Sequence, residues 1–581
     1  MIDIFAGPGG LSEGFSRMHA FDDSPRVRFR VKLSVEKEAD AARTLQLRAF
    51  TRQFEEGALP SAYYDYVRAT DPTEQARHED IIKSMPQWKV AEEEVWQAEL
   101  GSIDRTALHA RILAALGGAK WWVLAGGPPC QAYSVAGRSR RIGLGGLLIN
   151  DQSGDDALTV EADREKMKTE KLNEFLKDER HRLYREYLEI VAVHQPPVFV
   201  MENVKGILSS KIHLEGQEGP VLASVFDQIL NDLQDPWSAI DIGNLPKEVP
   251  LPLDRHCYRI HSFVTPPHPT MGYKRGDYLI KAEDHGVPQE RHRVILLGIR
   301  DDLGAIQPGP LRQVGTPVPL DAIIGGMPKL RSGRSRRKSN GDRNSVVDTA
   351  DAWRQAIRAV LPEVVLETIN EPCRSAMKEV LDQRGVDLGR GARFMPCPND
   401  LDDARLGALG RWLSDVRLGG VLQHETRDHM DADFGRYLFV AAFGEIKGDS
   451  PKLRHFPEAL LPNHRNAQTE EGRRIFHDRF RVQLRHKPAT TITSHIRKDG
   501  HYFIHYDKYQ CRSLTVREAA RIQTFPDNYF FEGNRTSQYE QVGNAVPPFL
   551  AFQLARVVGE VLRRAIRSNT RRQKSILAET G

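Results

Sequence analysis

The period of apolar and polar positions changes several times along the chain, and each change marks an element. The opening MIDIFAGPGGLSEGF sets a short apolar strand before a glycine-rich turn, Gly7 to Gly10, and a helix entered at Ser12. A second apolar run, Val31 to Val35, ends at Glu36 and gives way to the helical ADAARTLQLRAF. An acid at a strand end, about twenty positions beyond such glycines, suits a carboxylate that meets ribose hydroxyls. A third strand, Trp121 to Ala125, runs into Gly126, Gly127, Pro128, Pro129 and Cys130. Two glycines and two prolines fix the backbone at a carboxyl end, where α/β sheets hold their ligands. In LYREYLEIVAVHQPPVFVMENVKG a helix breaks at Pro196 and Pro197, and a strand from Val198 to Met201 ends in Glu202 and Asn203. Before the strand Val294 to Ile299, Gln289, Arg291 and Arg293 alternate, which predicts one shared face. RSLTVREAARIQTFPD reads as a helix capped near Thr515 and stopped before Pro526. QYEQVGNAVPPFLAFQLARVVGEVLRRAI then gives a turn and a long amphipathic helix, with a basic tail expected to fray. Residues 50 to 100 and 137 to 181 read as charged, solvated insertions, and 301 to 480 lacks strand–helix alternation.

Composition narrows the class. The chain has 581 residues, 40% apolar and 28% charged, and none of its uninterrupted apolar runs nears the roughly 20 residues that span a bilayer. No basic, apolar leader opens it, so a cytoplasmic protein with no membrane partner is expected. Five cysteines, odd in number and never in a CxxC pair, disfavour a disulfide framework and a structural zinc site. Net charge is only +4, so any nucleic-acid surface must come from uneven distribution. The window 329 to 343 supplies one candidate, with seven Lys or Arg against Asp342, and divides evenly between a solvated loop and a phosphate-contacting arm. His424, Glu425, His429, Asp431 and Asp433 cluster in HETRDHMDADFGR. They read as a polar helix start rather than a metal site, and no metal is expected.

Chemistry enters with Cys130. A thiolate is a strong nucleophile, and the proline elbow displays this one on a rigid mount. The blocks DIFAGPGG, GGPPCQAYS, MENVKG, QERHR, REAARIQTFPD and QYEQVGNAVPPFLA follow one another in an order that resembles the DNA cytosine carbon-5 methyltransferase family. The resemblance implies methyl transfer from S-adenosylmethionine to carbon 5 of cytosine in duplex DNA. It also implies a doubly wound, mostly parallel α/β sheet of Rossmann-like methyltransferase type with an inserted irregular α+β target recognition domain. Carbon 5 is a poor nucleophile until a thiolate adds to carbon 6, and Cys130 matches the family nucleophile. Glu202 matches the acid at ring nitrogen 3 and the exocyclic amine. Arg291 and Arg293 match the donors to the ring carbonyl and adjacent phosphate.

For the cofactor, the resemblance assigns Phe5, Ala6, Gly7, Gly9 and Gly10 to the amino-acid end, Glu36 to the ribose and Asn544 to the closing wall. Ser102 stands where the family has an adenine-binding Asp, and Asp104 is the substitute expected here. The target base should be flipped out of the helix, with Gln131 to about Gly146 as closing loop. Ser134, Arg138, Arg140 and Arg141 would then meet phosphate or the vacated space. Gln289, Arg334, Arg336 and Arg337 complete the expected DNA contacts. The expected division is residues 1–300 and 481–581 for the catalytic domain and 301–480 for target recognition. The partners implied are double-stranded DNA and a cognate restriction endonuclease or other defence proteins. Two alternatives stand beside this reading: a tRNA cytosine-5 methyltransferase, and a catalytically silent DNA-binding subunit.

Overall fold

The computed structural model describes residues 1–21, 27–129, 179–216, 219–335, 347–383, 387–398, 401, 403–463, 469, 478–498 and 500–580. Eight strands form one sheet: β1 Ile2–Ile4, β2 Leu33–Glu36, β3 Val95–Gln97, β4 Val123–Gly126, β5 Val198–Val204, β6 Tyr258–His261, β7 Leu279–Lys281 and β8 His292–Arg300. Their order is β3-β2-β1-β4-β5-β8-β6, with β7 also on β8. The pairs from β3 to β5 are parallel, and β8 runs antiparallel to β5, β6 and β7. The sheet is therefore doubly wound and mostly parallel, as expected, and the chain reverses direction across the sheet between β1 and β4.

Period-two alternation makes both faces apolar. Val123, Ala125, Val198, Val200, Ile295 and Leu297 join one core, shared with the helices Gly10–Phe21 and Pro548–Thr580. Ile2, Ile4, Leu124, Phe199, Met201 and Leu296 join the other, under the helices Arg105–Leu116, Glu179–His194 and Val225–Gln234. Burial on both faces is why these strands read as continuous apolar runs.

The strand ends shift from those predicted. β5 continues past Met201 to Val204, because β8 supplies an antiparallel ladder that pairs Glu202 with Ile295 and Asn203 with Val294. The 50–100 insertion gives three helices, Ser61–Arg68, Pro72–Ser84 and Pro86–Glu94, and then β3, which extends the sheet edge. The helix Val516–Ile522 starts with a capping box, Thr515 and Glu518 bonding each other's backbone amides. The tail expected to fray is helical through Thr580, and it holds no Gly or Pro before Gly581. Segment 301–480 is irregular α+β, with the hairpin-like pair Gly391–Pro396 and Gly420–Glu425 and the helices Ala350–Val360, Cys373–Asp382 and Asp431–Lys447. Among the described residues one stretch, 535–571, is long and apolar enough to cross a membrane, but 78% of its apolar window is packed inside the protein.

Candidate active site

At the carboxyl end of β1 the backbone turns sharply, with φ of 57° at Phe5, 57° at Gly7 and 95° at Gly9. Phe5 carries a side chain in the left-handed region, a strained placement of the kind found at functional sites. Glu36, at the end of neighbouring β2, accepts from Gly7 N through Oε2 at 2.8 Å and from Glu38 N through Oε1 at 2.9 Å. Burial pushes its pKa up, against the amides of Glu38 and Gly7. Each carboxylate oxygen keeps a lone pair for a further donor. A Cβ on Gly7 would meet no atom within 4 Å, so the turn faces open space. Gly10 is closed from the far side, where a Cβ would lie 2.1 Å from the Val546 carbonyl.

A buried network backs this turn. Arg48 binds Glu13 at 2.6 Å and lies over the Tyr529 ring at 4.4 Å, and the Tyr529 hydroxyl donates to the Pro8 carbonyl. Burial raises the Glu13 pKa, but Arg48 and Arg17 outweigh it and hold the carboxyl below its ordinary value. The long-range polar ties are absent from any local pattern, so sequence reading missed them.

The second half of the site lies at the ends of β4 and β5. Arg293 Nε meets Glu202 Oε1 at 2.9 Å, both side chains 15% exposed. Gly127 leaves the room for this pair, since a Cβ there would stand 3.0 Å from Glu202 Oε2. Asn203 donates from Nδ2 to the Pro128 carbonyl at 3.4 Å and accepts from Val204 N at 2.8 Å, tying β5 to the proline elbow. Cys130 follows Pro129 directly and lies outside the described residues, as do Ser134, Arg138, Arg140, Arg141, Arg336 and Arg337.

Three expectations are corrected. Gln289 does not face DNA: it is fully buried and both amide atoms are bonded to protein. Arg291 does not share an exposed face with Arg293. It is 2% exposed, donates to the carbonyls of Ile492 and Gly543, and its pKa is driven well down by burial and then by Arg293, against Glu202. The cause is local: Gln289 N bonds Val287 O and Arg291 N bonds Gln289 O, two tight turns that break the extended period. Arg334 is not free for phosphate, because its fork grips Asp431 at 3.1 and 2.7 Å and also the Val347 carbonyl. Asp104 is exposed and caps the helix Arg105–Leu116 through Ala107 N at 2.9 Å, while nearby Ala98 N bonds the Glu36 carbonyl. Asn544 ends the helix Arg535–Asn544 and is exposed among buried neighbours. In HETRDHMDADFGR, His424 bonds Thr515 and the Pro328 carbonyl, and His429 bonds Ser513 and Tyr437, so these imidazoles serve packing.

A nucleotide-type turn, a strand-end acid paired to arginine and a proline elbow thus converge where the sheet reverses. The profile of the C-5 cytosine-specific DNA methylase family matches residues 171–235, 269–384 and 421–560, more than half of the chain. The chain belongs to this family. Among the relatives it resembles over its length is the type II methyltransferase M.Bpa9945I of Bacillus paralicheniformis, 29% identical over 97% of this chain and 99% of that one. The type II methyltransferase M1.HphI of Haemophilus parahaemolyticus is 23% identical over 96% of this chain and 86% of that one. Among solved structures, a DNA modification methyltransferase encoded within an E. coli prophage is 17% identical, covers 97% of this chain and 99% of that one, and has a TM-score of 0.45. The protein is therefore a DNA (cytosine-5)-methyltransferase: it places a methyl group on cytosine in DNA, drawing it from a methyl donor.

Proposed function

We propose that the methyl donor is S-adenosylmethionine and that Cys130 attacks a cytosine flipped out of duplex DNA. The observation that carries this reading is the placement of the Glu36-held glycine turn and the Glu202–Arg293 pair at the same end of the sheet, on either side of β4 and its proline elbow. Phe5, Ala6, Gly7, Gly9 and Gly10 line the amino-acid end of the donor, Glu36 takes its ribose hydroxyls, Asp104 lies toward its adenine, and Asn544 closes the pocket. The donor supplies a methyl group on a positively charged sulfur.

The Cys130 thiolate adds to carbon 6 and moves the ring electrons toward carbon 5. Glu202 hydrogen-bonds ring nitrogen 3 and the exocyclic amine, which holds the charge that gathers there. Arg293 keeps Glu202 in place and offers a donor to the ring carbonyl. Carbon 5 takes the methyl group, loses its proton to water, and the Cys130–carbon 6 bond breaks to return the thiolate. Flipping the base costs a few kcal/mol of stacking, which contacts from Ser134, Arg138, Arg140 and Arg141 offset. Residues 301–480 read the target sequence, between the catalytic portions 1–300 and 481–581. The type II relatives support a role beside a cognate endonuclease.

The test is a duplex carrying 5-fluorocytosine, which has no carbon-5 proton to lose. With S-adenosylmethionine present, a protein–DNA adduct that survives denaturation is expected, and Cys130→Ala should abolish it. An adduct that persists in Cys130→Ala overturns the nucleophile. Label passing from the donor to tRNA and not to duplex DNA overturns the substrate.

A further inference from the structure

Gln289 meets a buried side chain of the REAARIQTFPD block, Gln523, to which the resemblance assigns no role, and Arg291 binds the same stretch of backbone. Gln289 donates from Nε2 to Gln523 Oε1 at 2.6 Å and to the Ile522 carbonyl at 3.2 Å, and accepts from Ile492 N at 3.0 Å. Gln523 in turn donates to the carbonyls of Val542 at 2.6 Å and Ala545 at 3.4 Å. Arg291 donates to the Ile492 carbonyl at 2.7 Å and, from both terminal nitrogens, to the Gly543 carbonyl at 3.3 Å. All three side chains are at most 2% exposed.

Their targets share one place. The carbonyls of residues 542, 543 and 545 are held from beneath, and Asn544 between them is the exposed residue. Above and below, the segment has no slack: a Cβ on Gly543 would lie 2.3 Å from Ser494 N, and the Val546 carbonyl closes on Gly10. Buried amides must keep their partners or lose stability, so such a network fixes one backbone geometry.

We infer that Gln289, Arg291 and Gln523 form a positioning clasp that sets Asn544, and the wall 542–546, against the glycine turn for donor binding. The inference rests on the donor reading proposed above. Gln289 and Arg291 then serve the donor pocket, and within this pair of arginines only Arg293 serves the reacting ring.

The clasp is tested on the full chain by calorimetric binding of S-adenosylhomocysteine, which cannot react. Wild-type protein that fails to bind it sinks the donor reading itself. With wild-type binding in hand, Gln523→Ala is expected to weaken it at least tenfold. Turnover at saturating donor should stay within threefold, and affinity for duplex DNA should not change. In an Asn544→Ala background the same substitution should add less than threefold, because the clasp acts through that residue. Fully additive losses, or weakened DNA binding with intact donor binding, overturn the clasp. If Gln523→Ala does not fold, Gln523→Met, close in volume and without the amide, is read against the same outcomes.

Discussion

Glu202 and Arg293 face each other at 2.9 Å, and the room for that pair depends on the absence of a side chain at residue 127. A methyl group there would stand 3.0 Å from Glu202 Oε2, tighter than a relaxed contact, and the carboxylate has little freedom to yield while Arg293 holds it. Gly127→Ala is expected to slow methyl transfer in single turnover at least tenfold, equivalent to about 1.4 kcal/mol on the barrier. Its melting temperature should stay within a few degrees of wild type, since the close contact involves one carboxylate oxygen and no backbone atom nearer than 3.5 Å. A wild-type rate would show that the carboxylate position is not critical. The acid was legible in the sequence because a carboxylate ending an apolar strand is conspicuous. The roles of Gln289 and Arg334 were not, because their partners, Gln523 and Asp431, lie 234 and 97 positions away. Residue type announces a capacity for hydrogen bonding, and the fold decides which partner uses it.

At the scale of the element, the strand–turn–helix unit at the start of the chain was readable from its pattern, yet its internal tie was not. Ile2 and Ile4 face one core, which turns Asp3 toward the helix Gly10–Phe21, where Ser12 Oγ donates to its Oδ2 at 2.6 Å. Oδ1 has no partner, and burial pushes the Asp3 pKa from its ordinary 3.8 up to about 7, against the Ser12 bond and Arg52. Between about pH 4 and 7 the folded chain therefore holds a proton that the unfolded chain has released, so this group's contribution to stability falls as pH rises. Asp3→Asn removes the titration and keeps an acceptor for Ser12. The stability of wild type minus that of the variant, from urea unfolding, should be flat below about pH 4. It should then decline by at most about 1.4 kcal/mol per pH unit to about pH 7. A difference that rises with pH, or never changes, would contradict the buried, proton-holding state. Other elements were hidden for a simpler reason: β3 is three residues, Val-Trp-Gln, too short for any period to show.

For the whole molecule, the division into catalytic and recognition portions was drawn from where regular alternation stops, but the three portions share a core. Trp412, from the middle portion, packs at 5.3 Å from Phe21, 5.8 Å from Phe549 and 5.6 Å from Phe552, and its indole donates to the Thr524 carbonyl. The insertion is drawn in too. Tyr63, Tyr66 and Trp88 share an apolar cluster with Leu418, Leu422 and Phe530, and Arg68 donates to the Leu418 carbonyl at 3.0 Å. Asp415 stands at the junction of all three, where Oδ2 accepts from the Tyr64 hydroxyl at 2.8 Å and from Asn528 Nδ2 at 2.6 Å. Portions joined by continuous apolar packing cannot open singly without exposing that surface, so they should melt together despite the length of the chain. Asp415→Ala strands two part-buried donors, at about 1–3 kcal/mol. By calorimetry of the full chain, a single transition is expected that moves down by a few degrees and stays single. Two transitions, with the substitution displacing one of them and leaving the other in place, would show that the middle portion folds on its own. The interface around Trp412 and Asp415 would then be a docking contact between independent lobes.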